Sequence, residues 1–363
     1  MDITPQTVQG QAVSNTSSPT STVKLGRQDF LSILLRLVGA EMYKIRQRAM
    51  SKILLIVGMC IIILSFLLLV TSVINDVNTP IQNYGVLNPC PPKYVPPSYG
   101  RTCLNHPPTQ QEIADAQKLK QKIVTIDSAP LRLPTSLYNV VSVILIVGTI
   151  LLIILTGTIV GGEYSGGTIR LLSTRGPTRV QFLFAKIGAI LICLVVGFIA
   201  MVLTGIVAGA LFNLTTEVPV SWSFLNNGGW SYALLYPLAA MFGLFVYAML
   251  ALFLTTLGRA TVVGVTGAIV WGIVENGFSN VVTLLPNGPV ANVLKTLSNY
   301  LISSNVNALC NNINASLQKH TQYFIGSPPS PISNQHALLV LTGYVVVLIG
   351  LSIWINVRQD ITN

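Results

Sequence analysis

Apolar positions in this chain come in long unbroken runs rather than in alternation, with short polar stretches between them. A bilayer core about 30 Å thick is crossed by roughly 20 apolar residues of helix. Six runs meet that length or approach it, at about 53–74, 138–160, 187–212, 230–257, 261–284 and 336–357. The fifth is the weakest, because Glu275, Asn276 and Asn280 fall in its second half. Ahead of the first run a different rhythm appears. Asp29, Ser32, Arg36, Glu41, Lys44 and Arg48 recur every three to five positions, with Leu31, Leu34, Leu35, Val38, Met42 and Ile45 on the other side. That pattern predicts a basic amphipathic helix over 27–50 lying in the headgroup plane, with a soluble helix docked on a partner as the alternative. Residues 1–26 are rich in Ser, Thr and Gln and predict a disordered tail with no signal peptide, so insertion rests on an internal span. The remainder, 51–363, reads as an all-α integral membrane domain of six spans with large loops at about 75–137 and 285–335.

Composition supports the same class. The 363 residues are 51% hydrophobic and 9% charged, against roughly 25% charged in soluble proteins. The net charge of +10 would bring nucleic acid to mind in a soluble chain. Here the cations gather at the ends of apolar runs, which is orientation chemistry, and no nucleic-acid partner is expected. Lys24, Arg27, Arg36, Lys44, Arg46, Arg48 and Lys52 precede the first run, which predicts a cytoplasmic amino terminus. Arg170, Arg175, Arg179, Lys186 and Arg259 then fall in cytoplasmic turns, and the 213–229 loop, which has no Lys or Arg, lies outside. Both termini are expected in the cytoplasm. The cations of loop one do not overturn this, since the loop approaches the length at which the rule stops applying.

Loop one is Pro-rich and then predicts a short polar helix at "TQQEIADAQKLKQKIV"; loop three predicts short helices on or dipping into the outer leaflet. Cys60 and Cys193 fall within spans, and Cys310 has no evident partner. Cys90 and Cys103 flank one outer segment and form a candidate disulfide, with two free thiols as the alternative. His106, His320 and His336 are scattered and give no metal-ligand spacing.

The most informative stretch is "GGEYSGGTIRLLSTRGPTR", beginning at Gly161. Gly161 and Gly162 are expected to end the second span, and Gly166 and Gly167 to allow a reversal. Thr168 can cap a short helix carrying Arg170 and Arg175, with Pro177 in the first turn of the next one. Such an arginine-bearing helix between two spans either engages a cytoplasmic partner or touches anionic lipid. No G-x-x-x-x-G-K-[ST] string occurs, so ATP binding by that motif is excluded.

The segment resembles the signature of ABC type-2 permeases, the membrane subunits of bacterial ABC exporters. The matching residues are Gly162, Glu163, Gly167, Thr168, Arg170, Leu171, Leu172, Ser173, Thr178, Arg179 and Lys186. The 27–50 helix resembles the family's elbow helix, and "TTLGRATVVGVTGAIV" its second cytoplasmic turn. The resemblance implies a non-enzymatic permease in the bacterial inner membrane, a homodimer with two copies of a separate ATPase subunit. ATP and Mg would be bound by that partner and no cofactor by this chain. Glu163, Gly167, Thr168, Arg170, Arg175 and Arg179 would form the main coupling helix, and Arg259 a second contact.

Within the spans, Gly197, Gly205 and Gly209, and Gly264, Ala268 and Gly272, recur at close-packing intervals, expected to serve packing within the subunit rather than between subunits. A carboxyl at membrane depth is costly, so Glu275 with Asn276 is a candidate transport path. The alternatives are that span five ends near Val274 or continues as a half-inserted hairpin. Few intramembrane charges favour an apolar or amphipathic cargo such as a lipid, drug or peptide. A membrane enzyme lacks a catalytic constellation here, and a secondary transporter would show repeats and more ionisable groups. A non-transporting scaffold or sensor subunit remains the alternative function.

Overall fold

A computed structural model describes residues 30–80, 109–131, 133, 135–165, 178–214, 229–286, 288–319 and 328–358. Among them there is no strand. Among the described residues six helices are long and apolar enough to cross a membrane, which makes this a multi-pass membrane protein. The first is α2 (Ala49–Asn78), preceded by α1 (Phe30–Gln47). After α3 (Gln110–Asp127) and a single turn at Ala129–Leu131, the second span is built from α4 (Thr135–Val143), a π turn (Ile144–Gly148) and α5 (Thr149–Ser165). There follow α6 (Arg179–Asn213), α7 (Gly229–Gly258) and α8 (Thr261–Leu284). Two shorter helices, α9 (Pro289–Ser298) and α10 (Ile302–Gln318), lead to the last span, α11 (Asn334–Arg358).

Span α7 is the hub. Its 18-residue apolar window is 67% buried, against 17–44% for the other five spans, because α5, α8, α10 and α11 all pack on it. It contains Pro237, which removes one helical hydrogen bond near its first turns. The outer spans keep Leu, Ile and Val exposed over much of their length, as lipid-facing helices do.

Several sequence expectations shift. The helix before the first span is Phe30–Gln47, shorter than 27–50, and Arg48 in extended backbone separates it from α2. Its sides are also reassigned. Glu41, expected on the polar face, is buried beside Ile45, whereas Leu31 and Leu35 are exposed. Val38 lies against Gly188 and Met42 against Cys193, so Val38, Glu41, Met42 and Ile45 form one i, i+3, i+4, i+7 stripe directed at α6. Gly161 and Gly162 do not end the second span, which runs on to Ser165. A Cβ on Gly161 would lie 2.5 Å from the Thr261 Cα, so this glycine allows α5 to meet the start of α8. The cap of α6 is Thr178, in a reciprocal capping box with Gln181; Pro177 lies outside the described residues.

Span α8 does not stop at Val274 but continues to Leu284. After it come α9, the turn 299–301 and α10. Helix α10 is antiparallel to α7 with Val306 against Gly243, and residues expected in an outer loop, Cys310 among them, are buried. Backbone carbonyls exposed by the turn are satisfied from side chains. Asn305 Nδ2 donates to the Asn299 and Leu301 carbonyls, and Tyr344 donates to the Tyr300 carbonyl. The predicted glycine packing is internal at Gly205 (against Val140), Gly209 (Phe66) and Gly264 (Thr255), while Gly197 faces open space.

Candidate functional site

Glu163 stands two residues before the end of α5 and is buried. Its Oε2 lies 2.7 Å from Lys186 Nζ of α6, and its Oε1 lies 3.2 Å from Lys44 Nζ of α1. Glu41 of α1 completes the group: its Oε1 is 2.7 Å from Lys44 Nζ and its Oε2 is 3.9 Å from Lys186 Nζ. Two carboxylates and two ammonium groups therefore alternate, each carboxylate facing both cations, and the formal charges cancel. Lys186 also donates to the Ile159 carbonyl at 3.1 Å and lies 4.8 Å from the centre of the Phe182 ring. The Lys186 and both glutamate side chains are only 4–6% exposed, while Lys44 is 42% exposed, so Lys44 is the cluster's contact with the surroundings. Burial alone would lower the Lys44 pKa, but the Glu41 hydrogen bond and the Glu163 and Glu41 charges hold it above its ordinary value. Beside the cluster Arg48 Nη1 donates to the Thr158 carbonyl at 3.1 Å, which ties the start of α2 to α5.

This arrangement locks helices together. Among the described residues no group of three or more His, Cys, Asp or Glu could hold a metal ion. The lock joins α1, α5 and α6 at the root of the segment 166–177. Gly167, Thr168, Arg170 and Arg175 of the predicted coupling helix lie in that segment and so outside the described residues, as do Cys90 and Cys103. Arg179 is described. It donates through Nη1 to the carbonyls of Asn356 (3.2 Å) and Val357 (3.3 Å), and Asn356 Nδ2 donates back to the Arg179 carbonyl at 3.4 Å. It thus fastens the start of α6 to the end of α11, where a cation also complements the helix dipole. Arg259 is exposed in the turn between α7 and α8, in the left-handed region at φ 51°. Glu41 and Lys44 were not singled out from the sequence as site residues. The signal was there in the spacing of Glu41 from Val38 and Ile45, which puts it on a buried stripe.

A second buried carboxyl, Glu275, lies nine residues before the end of α8, about 14 Å along the helix axis. Its oxygens accept from the backbone N–H groups of Ile302 and Ser303, the first residues of α10, and from the Tyr247 hydroxyl at 3.1 Å. Glu275 therefore caps a helix that begins inside the bundle, and the α10 dipole complements its charge. Asn276 is exposed, its Nδ2 donates to the Gly272 carbonyl, and it lines a cavity. Of the two candidate path residues, Glu275 thus caps α10 and Asn276 faces the cavity. That cavity, of about 460 Å³, lies between the π turn, α5, α7, α8 and α10.

A family model described as a protein of unknown function, DUF2705, matches residues 124–362. The chain belongs to that family. No curated protein and no solved structure matches it. The DUF2705 match starts within α3 and reaches beyond α11, so it includes Glu163, Lys186 and Glu275. Glu41 and Lys44 lie before it, and half of the ion cluster is drawn from outside the matched region.

Proposed function

We propose that the chain is the membrane permease subunit of an ATP-driven ABC exporter, with ATP hydrolysis supplied by a separate ATPase subunit. It works as a homodimer over two ATPase copies in the bacterial inner membrane, with both termini in the cytoplasm. The cargo is apolar or amphipathic and leaves from the cytoplasm or the inner leaflet. Segment 161–179 carries the main coupling helix, with Arg170 and Arg175 as partners of the ATPase.

The observation that carries this reading is the buried cluster of Glu41, Lys44, Glu163 and Lys186 at the root of that segment. A partner that displaces the segment pulls directly on the end of α5, and the ion pairs pass the displacement to α1 and α6 together. Arg179 extends the connection to α11. Glu163 accordingly acts from within the permease as a positioning residue and not as a direct ATPase contact.

The test is co-purification with candidate ATPase subunits in lipid, followed by ATPase assays on wild type, Arg170→Ala and Glu163→Ala. The expected result is a stable complex whose assembly is weakened by Arg170→Ala. In Glu163→Ala assembly persists, but ATPase activity no longer responds to cargo. A chain that assembles with no ATPase overturns the proposal. A complex whose hydrolysis is unaffected by every cargo screened favours the non-transporting scaffold or sensor instead.

A further inference from the structure

The cations around the joint between α1 and α2 divide into two groups. Lys44 and Lys186 are paired with Glu41 and Glu163, and Arg48 donates to the Thr158 carbonyl. Arg36, Arg46 and Lys52 are exposed and make no hydrogen bond or ion pair with another described residue. No acid offsets them locally. Glu41 is the one carboxylate of α1, is buried and faces Lys44 and Lys186, and α2 has no acidic residue before Asp76. Helix geometry turns this second group outward. Val38, Glu41, Met42 and Ile45 are directed at α6, whereas Arg36 and Tyr43 stand nine and two residues before Ile45, roughly opposite it at 3.6 residues per turn. Tyr43 is 65% exposed. Arg46 and Lys52 follow on the two sides of Arg48, whose extended backbone separates the helices.

Apolar groups border these cations. Leu31 and Leu35, one turn apart on α1, are exposed, and past the joint so are Ile53, Ile56 and Val57 at the start of the span. An acidic protein segment matches the cations but leaves the aliphatic side chains of the span uncovered. A phospholipid with an anionic headgroup matches both, and an exposed tyrosine suits the headgroup level. We propose that the outer face of α1 and the first turn of α2 form a docking surface for anionic phospholipids of the leaflet on which α1 lies. Phosphate oxygens accept from Arg36, Arg46 and Lys52, and acyl chains lie along Leu35 and Ile53. Helix α1 also carries Glu41 and Lys44, so headgroup charge bears on α5 and α6 through the ion cluster. Binding at this surface stands whether or not the chain couples to an ATPase.

The test uses two photo-crosslinking probes with the same diazirine-bearing acyl chain, a phosphatidylglycerol and a phosphatidylcholine. Each is mixed in small amount into phosphatidylcholine vesicles containing the full chain, and adducts are mapped by mass spectrometry. Phosphatidylglycerol is expected to label Leu35, Ile53 and their neighbours roughly five-fold more than phosphatidylcholine, the equivalent of one cation at an anionic headgroup. The excess should shrink when salt is raised from about 0.1 to about 1 M, since the cations are exposed. Combined Arg36→Gln, Arg46→Gln and Lys52→Gln should bring the two probes level. Combined Arg36→Lys, Arg46→Lys and Lys52→Arg keeps the charges and should keep the excess. Leu339, exposed on α11, should be labelled equally by both probes. An excess of the same size at Leu339, or one that survives the glutamine substitutions, overturns the proposal. Equal labelling in the wild type also overturns it and leaves the three cations to a soluble acidic partner.

Discussion

Glu163 and Glu275 are both buried carboxyls in a chain with few charges, yet they are stabilised by different means. Glu163 is held by two ammonium groups from two other helices. Glu275 meets backbone N–H groups at a helix start and one phenol. The first depends on formal charge and on three elements staying together. The second depends on hydrogen-bond geometry and on a partial charge of about half a unit spread over the α10 terminus. A lock made of full charges transmits displacement, because separating its members exposes each to a low-dielectric interior. A cap made of dipoles holds one helix in place and tolerates a change in the charge of its acceptor.

That difference is most readily broken at Glu163. Glu163→Ala leaves Lys186 buried with only a distant Glu41, and breaking a buried pair on one side costs about 3–5 kcal/mol. Glu163→Gln should recover little of this, because the missing quantity is the charge. Combining Glu163→Met with Lys186→Met should restore most of the stability, as Glu41 and Lys44 remain paired. Denaturant unfolding in detergent measures all three. A Gln variant close to wild type would contradict the ionic account.

Glu275 is expected to behave in the opposite way. Glu275→Ala strands the Ile302 and Ser303 N–H groups and should cost about 1–3 kcal/mol. Glu275→Gln keeps one acceptor oxygen, which serves one of the two N–H groups, and sets its NH2 against the other, so it should cost more than the loss of charge against dipole, about 0.3–1 kcal/mol, but less than Glu275→Ala. The ratio of Gln to Ala effects therefore separates the sites, near one at Glu163 and below one at Glu275. Amide hydrogen exchange along α10 should report the same order, with its first turn unprotected in Glu275→Ala and partly protected in Glu275→Gln.

How legible these sites were in the sequence follows from how local their causes are. The spans were legible because twenty apolar residues in a row have few other uses, and α3 because Thr109 and Glu112 form a capping box in adjacent turns. Gly161 was misread because a helix terminator and a close helix contact demand the same residue; only Thr261, a hundred residues on, distinguishes them. Glu275 looked like the end of a span because its caps, Ile302 and Ser303, arrive from a helix that hydropathy alone places outside the core. The ion cluster combines residues far apart in the chain, and neither its Lys186 nor its Glu41 is marked locally as a partner of the other. The π turn left no signal in an apolar run.

A third carboxyl, Asp127 at the end of α3, has neither a helix start nor an ion cluster to hold it, and it carries the smallest prediction. Burial, then the hydrogen bond and charge of Asp76 on α2, hold the Asp127 carboxyl above its ordinary value. Lys120 of the same helix donates to the Thr79 carbonyl at 2.8 Å, so α3 has a second tie to the end of α2 that does not depend on Asp127. A raised carboxyl means the docked state holds its proton more tightly than the free one. The contribution is therefore complete below the ordinary value of 3.8 and is lost as pH rises through the raised value. Protection factors of the α3 amides should fall slightly from pH 4 to pH 7 in wild type. In Asp127→Asn, which keeps a hydrogen-bonding group but cannot ionise, they should stay level. The amides of α1 beside Lys44 should show no such drift, because Lys44, raised above its ordinary 10.5, keeps its charge across the whole range. A wild-type α3 that gains protection as pH rises would reverse the sign and assign the Asp76–Asp127 contact to ionised carboxylates bridged by a cation.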